Sequence, residues 1–207
     1  NGETAIEVAE RRYCSVWGID YSEAMIEAAQ RNRRGHVLSG EVNFSRADIT
    51  TDLAGSKPHY DLIYSVRCLI NLPDWQTQAQ AIRTILGLLK PGGHYVMVEN
   101  SQDGLDHMNE CRQAIGLPTI TPPSYNRYLH DAEVWALNRE MEPAACILRE
   151  AYPLSSYYLL SRIANAHLAQ QAGTEPDYSA PLNRLALRLP SVGTFGQGRL
   201  VVWQKAG

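Results

Sequence analysis

The chain has 207 residues, 44% hydrophobic and 20% charged, with a net charge of -3, a composition that suits one globular domain with a sizeable core. No long basic run suggests nucleic acid as a partner, and no apolar run approaches the ~20 residues that cross a bilayer. Four dispersed cysteines without a C-x-x-C pair, and six histidines without H-x-x-x-H spacing, support neither a disulfide framework nor a metal site and fit free thiols in a reducing cytoplasm.

Asn1-Gly2 reads as a turn, and Glu3 to Arg12 as a helix with Ala5, Ile6, Val8 and Ala9 on its apolar side. Strand Cys14–Ile19 follows and runs into Asp20. Ser22 can cap the next helix and Glu23 suits its positive end. That helix reaches about Asn32, with Met25, Ile26, Ala28 and Ala29 facing the core, and Arg33-Arg34-Gly35 stops it. An acid at the carboxyl end of a strand in an open α/β sheet sits in the ligand crevice, where it can accept hydrogen bonds from both hydroxyls of a ribose. The alternative is that Asp20 only caps the helix beside Ser22. Gly2 lies 18 positions before Asp20, near the spacing of about 20 between the glycine turn and the ribose acid of a dinucleotide-type fingerprint. The chain is therefore expected to enter partway through a βαβ unit, with a strand and most of a Gly-rich loop before Asn1.

Val42 and Phe44 mark a short strand ending at Ala47-Asp48-Ile49. Asp48 is a second crevice acid, or it opens the turn Thr50-Thr51-Asp52. Tyr60–Val66 is a buried strand, continued by Arg67-Cys-Leu-Ile-Asn-Leu72. Asp74 caps a helix from Trp75 to Leu89, with Ala79, Ile82, Ile85, Leu86 and Leu89 at helical spacing. Lys90-Pro-Gly-Gly93 ends it, and strand His94–Glu99 closes on a third acid. Helix and strand alternate in this way when a mostly parallel sheet carries helices on both faces. Three acids, Asp20, Asp48 and Glu99, at one end of such a sheet predict a polar crevice.

Beyond Glu99 the texture changes. Asp103 to Ile115 fits a helix stopped by Gly116, and Leu117-Pro-Thr-Ile-Thr-Pro-Pro123 is an extended loop. Ser124-Tyr-Asn-Arg-Tyr-Leu-His130 is dense in aromatic and hydrogen-bonding groups, and Asp131 caps a helix to about Met141. Cys146 to Leu160 reads as a long Tyr-rich strand. Arg162 to Leu189 is helical in parts, broken at Gly173, Pro176 and Pro181, before a last strand, Arg199–Trp203.

The segments over residues 1–99 resemble class I S-adenosylmethionine-dependent methyltransferases. Val16-x-Gly-Ile-Asp20-x-Ser22-x-x-Met25-Ile26 is similar to the segment bearing that family's ribose-binding acid, and Ala47-Asp48-Ile49 to its adenine-flanking motif. Tyr60-Asp-Leu-Ile63 and Leu89-Lys-Pro-Gly-Gly93 resemble its fourth strand and the turn before its fifth. The departure is the first motif, of which only Asn1-Gly2 remains; the chain as written is expected to be a fragment that catalyses poorly.

The resemblance implies a single α/β, Rossmann-like domain. Residues 1–100 form its cofactor half, and residues 101–207 form acceptor-side helices, a helical insertion and an antiparallel closing strand. It implies S-adenosylmethionine bound by Gly2, Asp20, Tyr21, Met25, Asp48, Ile49, Val66 and Arg67. On the acceptor side the candidates are His130 as base with Tyr125, and Asn71, Asn126, Arg127 and Tyr128 as binding groups. Each has a structural alternative: a tyrosine-anchored surface loop, a solvent-facing His130, and Arg67 and Asn71 satisfying loop carbonyls. A looser likeness to bacterial methyltransferases of polysaccharide clusters implies a small-molecule acceptor such as a sugar. Two other classes stay open: a nicotinamide-dependent oxidoreductase, and a non-catalytic interaction protein on the same fold.

Overall fold

The structure is a computed structural model that describes residues 1–53, 55 and 59–207. It divides into two compact units, residues 1–56 and 57–207.

In the first unit, α1 (Glu3–Arg11), β1 (Ser15–Asp20), α2 (Glu23–Arg33) and β2 (Glu41–Arg46) follow the expected order. The two strands pair in parallel from Ser15 opposite Glu41 to Asp20 opposite Arg46, so their carboxyl ends are level. Ala5, Ile6 and Ala9 come from one face of α1, as their helical spacing requires. They bury against Val42, with Val16, Leu38 and Phe44 packed around them. The Ser22 hydroxyl accepts from the Met25 N–H at 3.4 Å and caps α2.

The second unit holds a four-stranded sheet in the order β3-β4-β6-β5. Here β3 is Tyr60–Val66, β4 Leu89–Asn100, β5 Ala145–Ala151 and β6 Gly198–Lys205. The β3 and β4 strands are parallel. The last strand, β6, runs antiparallel to both neighbours, which is the mostly parallel sheet with one reversed strand that the sequence predicts. Helix α3 (Trp75–Leu88) starts at Asp74, whose carboxylate accepts from the Thr77 N–H at 2.8 Å. Helices α4 (Gln102–Ala114) and α5 (Asp131–Met141) follow β4. Trp203, Tyr95, Met97, Ile82, Leu86 and Leu89 are among the largest fully buried side chains.

Three expectations are corrected. Leu89 belongs to β4 rather than to α3: Tyr60 pairs with Leu89 and Leu62 with His94, so Lys90–Gly93 form an irregularity in the strand. Strand β5 stops at Ala151; beyond Pro153 the chain turns into α6 (Ser155–Tyr158), a π-helix (Leu159–Ala164) and α7 (Asn165–Gln171). The tyrosines there favour a strand by propensity, but packing overrides it, since the Tyr158 ring lies where a Cβ on Gly196 would be, 2.4 Å from its Cδ2. Pro181 opens α8 (Pro181–Ala186) rather than breaking a helix, because its missing N–H is harmless at the first position. Among the described residues no helix is long and apolar enough to cross a membrane.

Candidate functional site

Asp20 ends β1 and is exposed. Its Oδ1 accepts from the Ser22 N–H at 2.9 Å, which starts the turn into α2. One carboxylate oxygen therefore shapes the turn, as the capping alternative expects, while Oδ2 has no hydrogen-bond partner among the described residues. Tyr21 and Met25 stand beside it with 66% and 40% of their surface exposed. Arg46, opposite Asp20 in the sheet, fixes Tyr21: its Nε donates to the Tyr21 carbonyl at 3.1 Å, and its guanidinium carbon lies 5.4 Å from the ring centre. The Ala47 N–H donates to the Asp20 carbonyl at 3.1 Å, which brings Asp48 to the same end of the sheet. Asp48 does open a turn, its Oδ1 accepting from the Thr50 N–H and hydroxyl at 2.8 and 2.6 Å. Ile49 is half-buried next to it.

Gly2 caps α1 with φ +78°. A Cβ there would stand 2.7 Å from Phe44 Cζ and 2.8 Å from Ala29 Cβ. Strain and crowding act together, so Gly2→Ala is expected to cost about 1–3 kcal/mol. A chemical denaturation midpoint equal to that of the unsubstituted chain would refute this.

In the second unit, Val66 ends β3 and is exposed. Arg67 follows at φ +48°, the one non-glycine residue with positive φ among those described. Glu99, expected to line the crevice, instead turns inward and is 1% exposed. It accepts from the N–H groups of Cys68 and Leu69 at 2.9 and 3.1 Å, of Ile70 at 3.4 Å, and from the Ser65 hydroxyl at 3.3 Å. The three N–H donors come from the start of a short 3-10 helix, Leu69–Asn71, with Cys68 as its N-cap, where unpaired amides attract an acid.

Burial pushes the Glu99 carboxyl up to about 7, against the pull of those donors. Burial, reinforced by Glu99, likewise drives the Tyr95 phenol well above its ordinary value. The Glu99 proton is held more tightly in the folded protein than in the unfolded chain, where the carboxyl titrates near its ordinary value of 4.5. Its contribution to stability is full below that value, falls as pH rises through about 4.5 to 7, and is lost above, a span of about 3 kcal/mol. Glu99→Gln should remove this slope from denaturation measured across that range; an unchanged slope would contradict the assignment.

The segment after α4 is where the acceptor-side candidates lie. Tyr125 is 75% exposed in a turn. Asn126 Nδ2 donates to Asn71 Oδ1 at 2.9 Å. Arg127 is committed to structure, donating to Gln78 Oε1 at 2.7 Å and to Glu133 Oε1 at 2.6 Å. Tyr128 is buried with Ile70, Leu105, Met108 and Tyr158. His130 rather than Asp131 is the N-cap of α5, and its Nδ1 lies 3.5 Å from Asp103 Oδ2. Asp131 is drawn elsewhere, accepting from the Ser101 hydroxyl at 2.9 Å and from Arg199. Arg199 is buried, reaches Glu150 at 3.2 Å, and lies 4.3 Å from the Tyr152 ring centre. An open cavity of about 630 Å³ beside the carboxyl end of β5 is lined by Glu150, Tyr152, Ser191 and Thr194, among others. Sequence reasoning noticed Glu99 as an acid but missed its inward role, and it missed Gln78, which lies on the apolar face of α3 and is wholly buried.

Comparison with known proteins gives a consistent picture. The family described as "Methyltransferase domain" matches residues 1–93. A ubiquinone biosynthesis O-methyltransferase from Alkalilimnicola ehrlichii is 35% identical over 167 residues, covering 77% of this chain and 65% of that protein. A sterol 24-C-methyltransferase from Debaryomyces hansenii is 22% identical over 77% of this chain and 43% of its own length. The chain thus spans less than two thirds of these relatives. Among solved structures, a SAM-dependent methyltransferase from Methanosarcina mazei aligns over 98% of this chain and 86% of its own, with TM-score 0.61 and 16% identity. Magnesium protoporphyrin IX methyltransferase from Synechocystis, with bound SAH, aligns over 99% and 70% at TM-score 0.60 and 15% identity. The [4+2]-cyclase SpnF aligns over 99% and 72% at TM-score 0.60 and 19% identity.

Proposed function

We infer that this chain, which carries a methyltransferase domain on a class I, Rossmann-like fold, transfers a methyl group from S-adenosylmethionine to a hydroxyl oxygen of a small-molecule acceptor. The observation that carries this reading is Asp20. The family match covers it, and it stands exposed at the end of β1 with one carboxylate oxygen unspent and two exposed side chains, Tyr21 and Met25, beside it. That set suits a ribose and an adjoining adenine face. Asp20 would hold the ribose hydroxyls, Tyr21 and Met25 would cover the adenine, and Asp48 and Ile49 would edge it. Val66 and Arg67 would face the amino-acid end.

S-adenosylmethionine supplies an electrophilic methyl group on a sulfonium. The chain's own task is then to align the acceptor and exclude water. An oxygen acceptor is favoured because the 35%-identical relative is an O-methyltransferase by name. A hydroxyl must lose its proton, and His130, half-exposed beside Asp103, is the group proposed to take it. Tyr125 and the Asn126 Oδ1 would meet the acceptor's polar groups, whereas Asn71 is spent on the Arg67 and Cys68 carbonyls and on Asn126.

The rival is a non-catalytic interaction protein retaining the same fold, since fold alone does not fix chemistry. Incubation with methyl-labelled S-adenosylmethionine and a panel of phenols and sugars decides between them. Label transfer that His130→Ala lowers about 100-fold supports the reading. Binding of S-adenosylmethionine with no transfer to any acceptor supports the rival.

A further inference from the structure

The four residues after β3 have each backbone polar group assigned to a particular partner. The Arg67 N–H donates to the Val98 carbonyl at 2.8 Å, and the next three N–H groups all go to Glu99. On the other side, the Arg67 and Cys68 carbonyls accept from Asn71 Nδ2 at 2.8 and 3.2 Å. The Leu69 carbonyl accepts from Gln78 Nε2 at 3.0 Å, and the Ile70 carbonyl from the Arg127 N–H at 2.8 Å. A connecting loop ordinarily leaves part of its backbone to water.

This loop also carries Arg67 in the left-handed region, where its Cβ crowds the following carbonyl oxygen. Such a conformation persists only where the surroundings over-determine it, and it is found at ligand clamps. Glu99 is the one residue that grips three successive amides here, and it does so from the carboxyl end of β4, the rigid strand parallel to β3. Sites held by buried groups on rigid elements keep their shape when a ligand arrives.

We propose that Glu99 is a positioning residue, whose buried carboxylate, by gripping the Cys68–Ile70 amides, fixes the turn that presents Val66 and Arg67 to the amino-acid end of S-adenosylmethionine. The proposal rests on the cofactor reading above. It differs from a purely structural role, in which Glu99 only caps the 3-10 turn and its loss would affect every ligand alike.

Two probes separate these roles: S-adenosylhomocysteine, which has the amino-acid end, and 5'-methylthioadenosine, which keeps the adenosine and lacks that end. Binding of both is measured by calorimetry on the unsubstituted chain and on two variants. Glu99→Met leaves the three amides without an acceptor. It should weaken S-adenosylhomocysteine about tenfold or more, with methylthioadenosine held within about threefold. Glu99→Gln retains an acceptor oxygen and should restore S-adenosylhomocysteine binding to within about threefold. Equal losses for both probes, or no loss in Glu99→Met, would overturn the proposal. If Glu99→Met does not fold, Asn71→Ala releases the same loop from its exposed side and should show the same selective loss; equal affinities for both probes relative to the unsubstituted chain would then overturn it. Failure of the unsubstituted chain to bind either probe would instead remove the cofactor reading, and the proposal with it.

Discussion

Asp20→Ala is expected to weaken S-adenosylmethionine binding about 100-fold or more. A carboxylate accepting from two ribose hydroxyls makes two charge-assisted hydrogen bonds, each contributing about 1.5–3 kcal/mol. The folded chain loses much less, because the one internal bond at stake, from the Ser22 N–H, is exposed and contributes about 1 kcal/mol. The two effects therefore separate, with a large loss of affinity on a slightly less stable fold. Asp20→Asn keeps one acceptor oxygen and should fall between the two. If the alanine variant binds within about threefold of the parent, Asp20 is only the turn-former beside Ser22 and the ribose role is wrong.

Arg199→Met is expected to cost about 3–5 kcal/mol of stability in the second unit. Arg199 on β6 is buried and holds two carboxylates, Asp131 at the start of α5 and Glu150 near the end of β5. Methionine fills a similar volume but leaves both acids without their cation, and Tyr152 loses the guanidinium against its ring. Breaking a buried pair in this way costs more than the pair contributes when intact. The Arg199 Nε is itself buried without a partner among the described residues, so the network already carries one unsatisfied donor. Adding Asp131→Asn and Glu150→Gln to Arg199→Met should recover much of the loss, because no partly buried charge then stands alone. Thermal or urea unfolding measures both; a single-variant loss below about 1 kcal/mol would show the cluster to be solvent-screened.

What could be read in the sequence follows from the range of the forces involved. Helix α3 was legible because its cap, Asp74, and its apolar spacing are local. Strand Tyr60–Val66 was legible because its apolar run is bounded on both sides. Asp20, Asp48 and Glu99 were visible as acids at strand ends, and the first two do stand at one end of the parallel β1–β2 pair. The inward turn of Glu99 was not legible, since its partners lie about thirty positions earlier in the chain. Arg127 looked like an acceptor-binding cation in a polar loop; only the fold brings it to Gln78, 49 positions away. The run after Ala151 misled because tyrosine propensity is weak beside the packing of Tyr158 against Gly196 and Gly198.

Titration calorimetry with S-adenosylmethionine, alongside NAD as a control, measures whether the chain binds this cofactor. Saturable one-to-one binding of S-adenosylmethionine is expected, weakened about 100-fold or more in Asp20→Ala, with no saturable binding of NAD. Saturable binding of NAD with none of S-adenosylmethionine would contradict this expectation and favour the oxidoreductase reading.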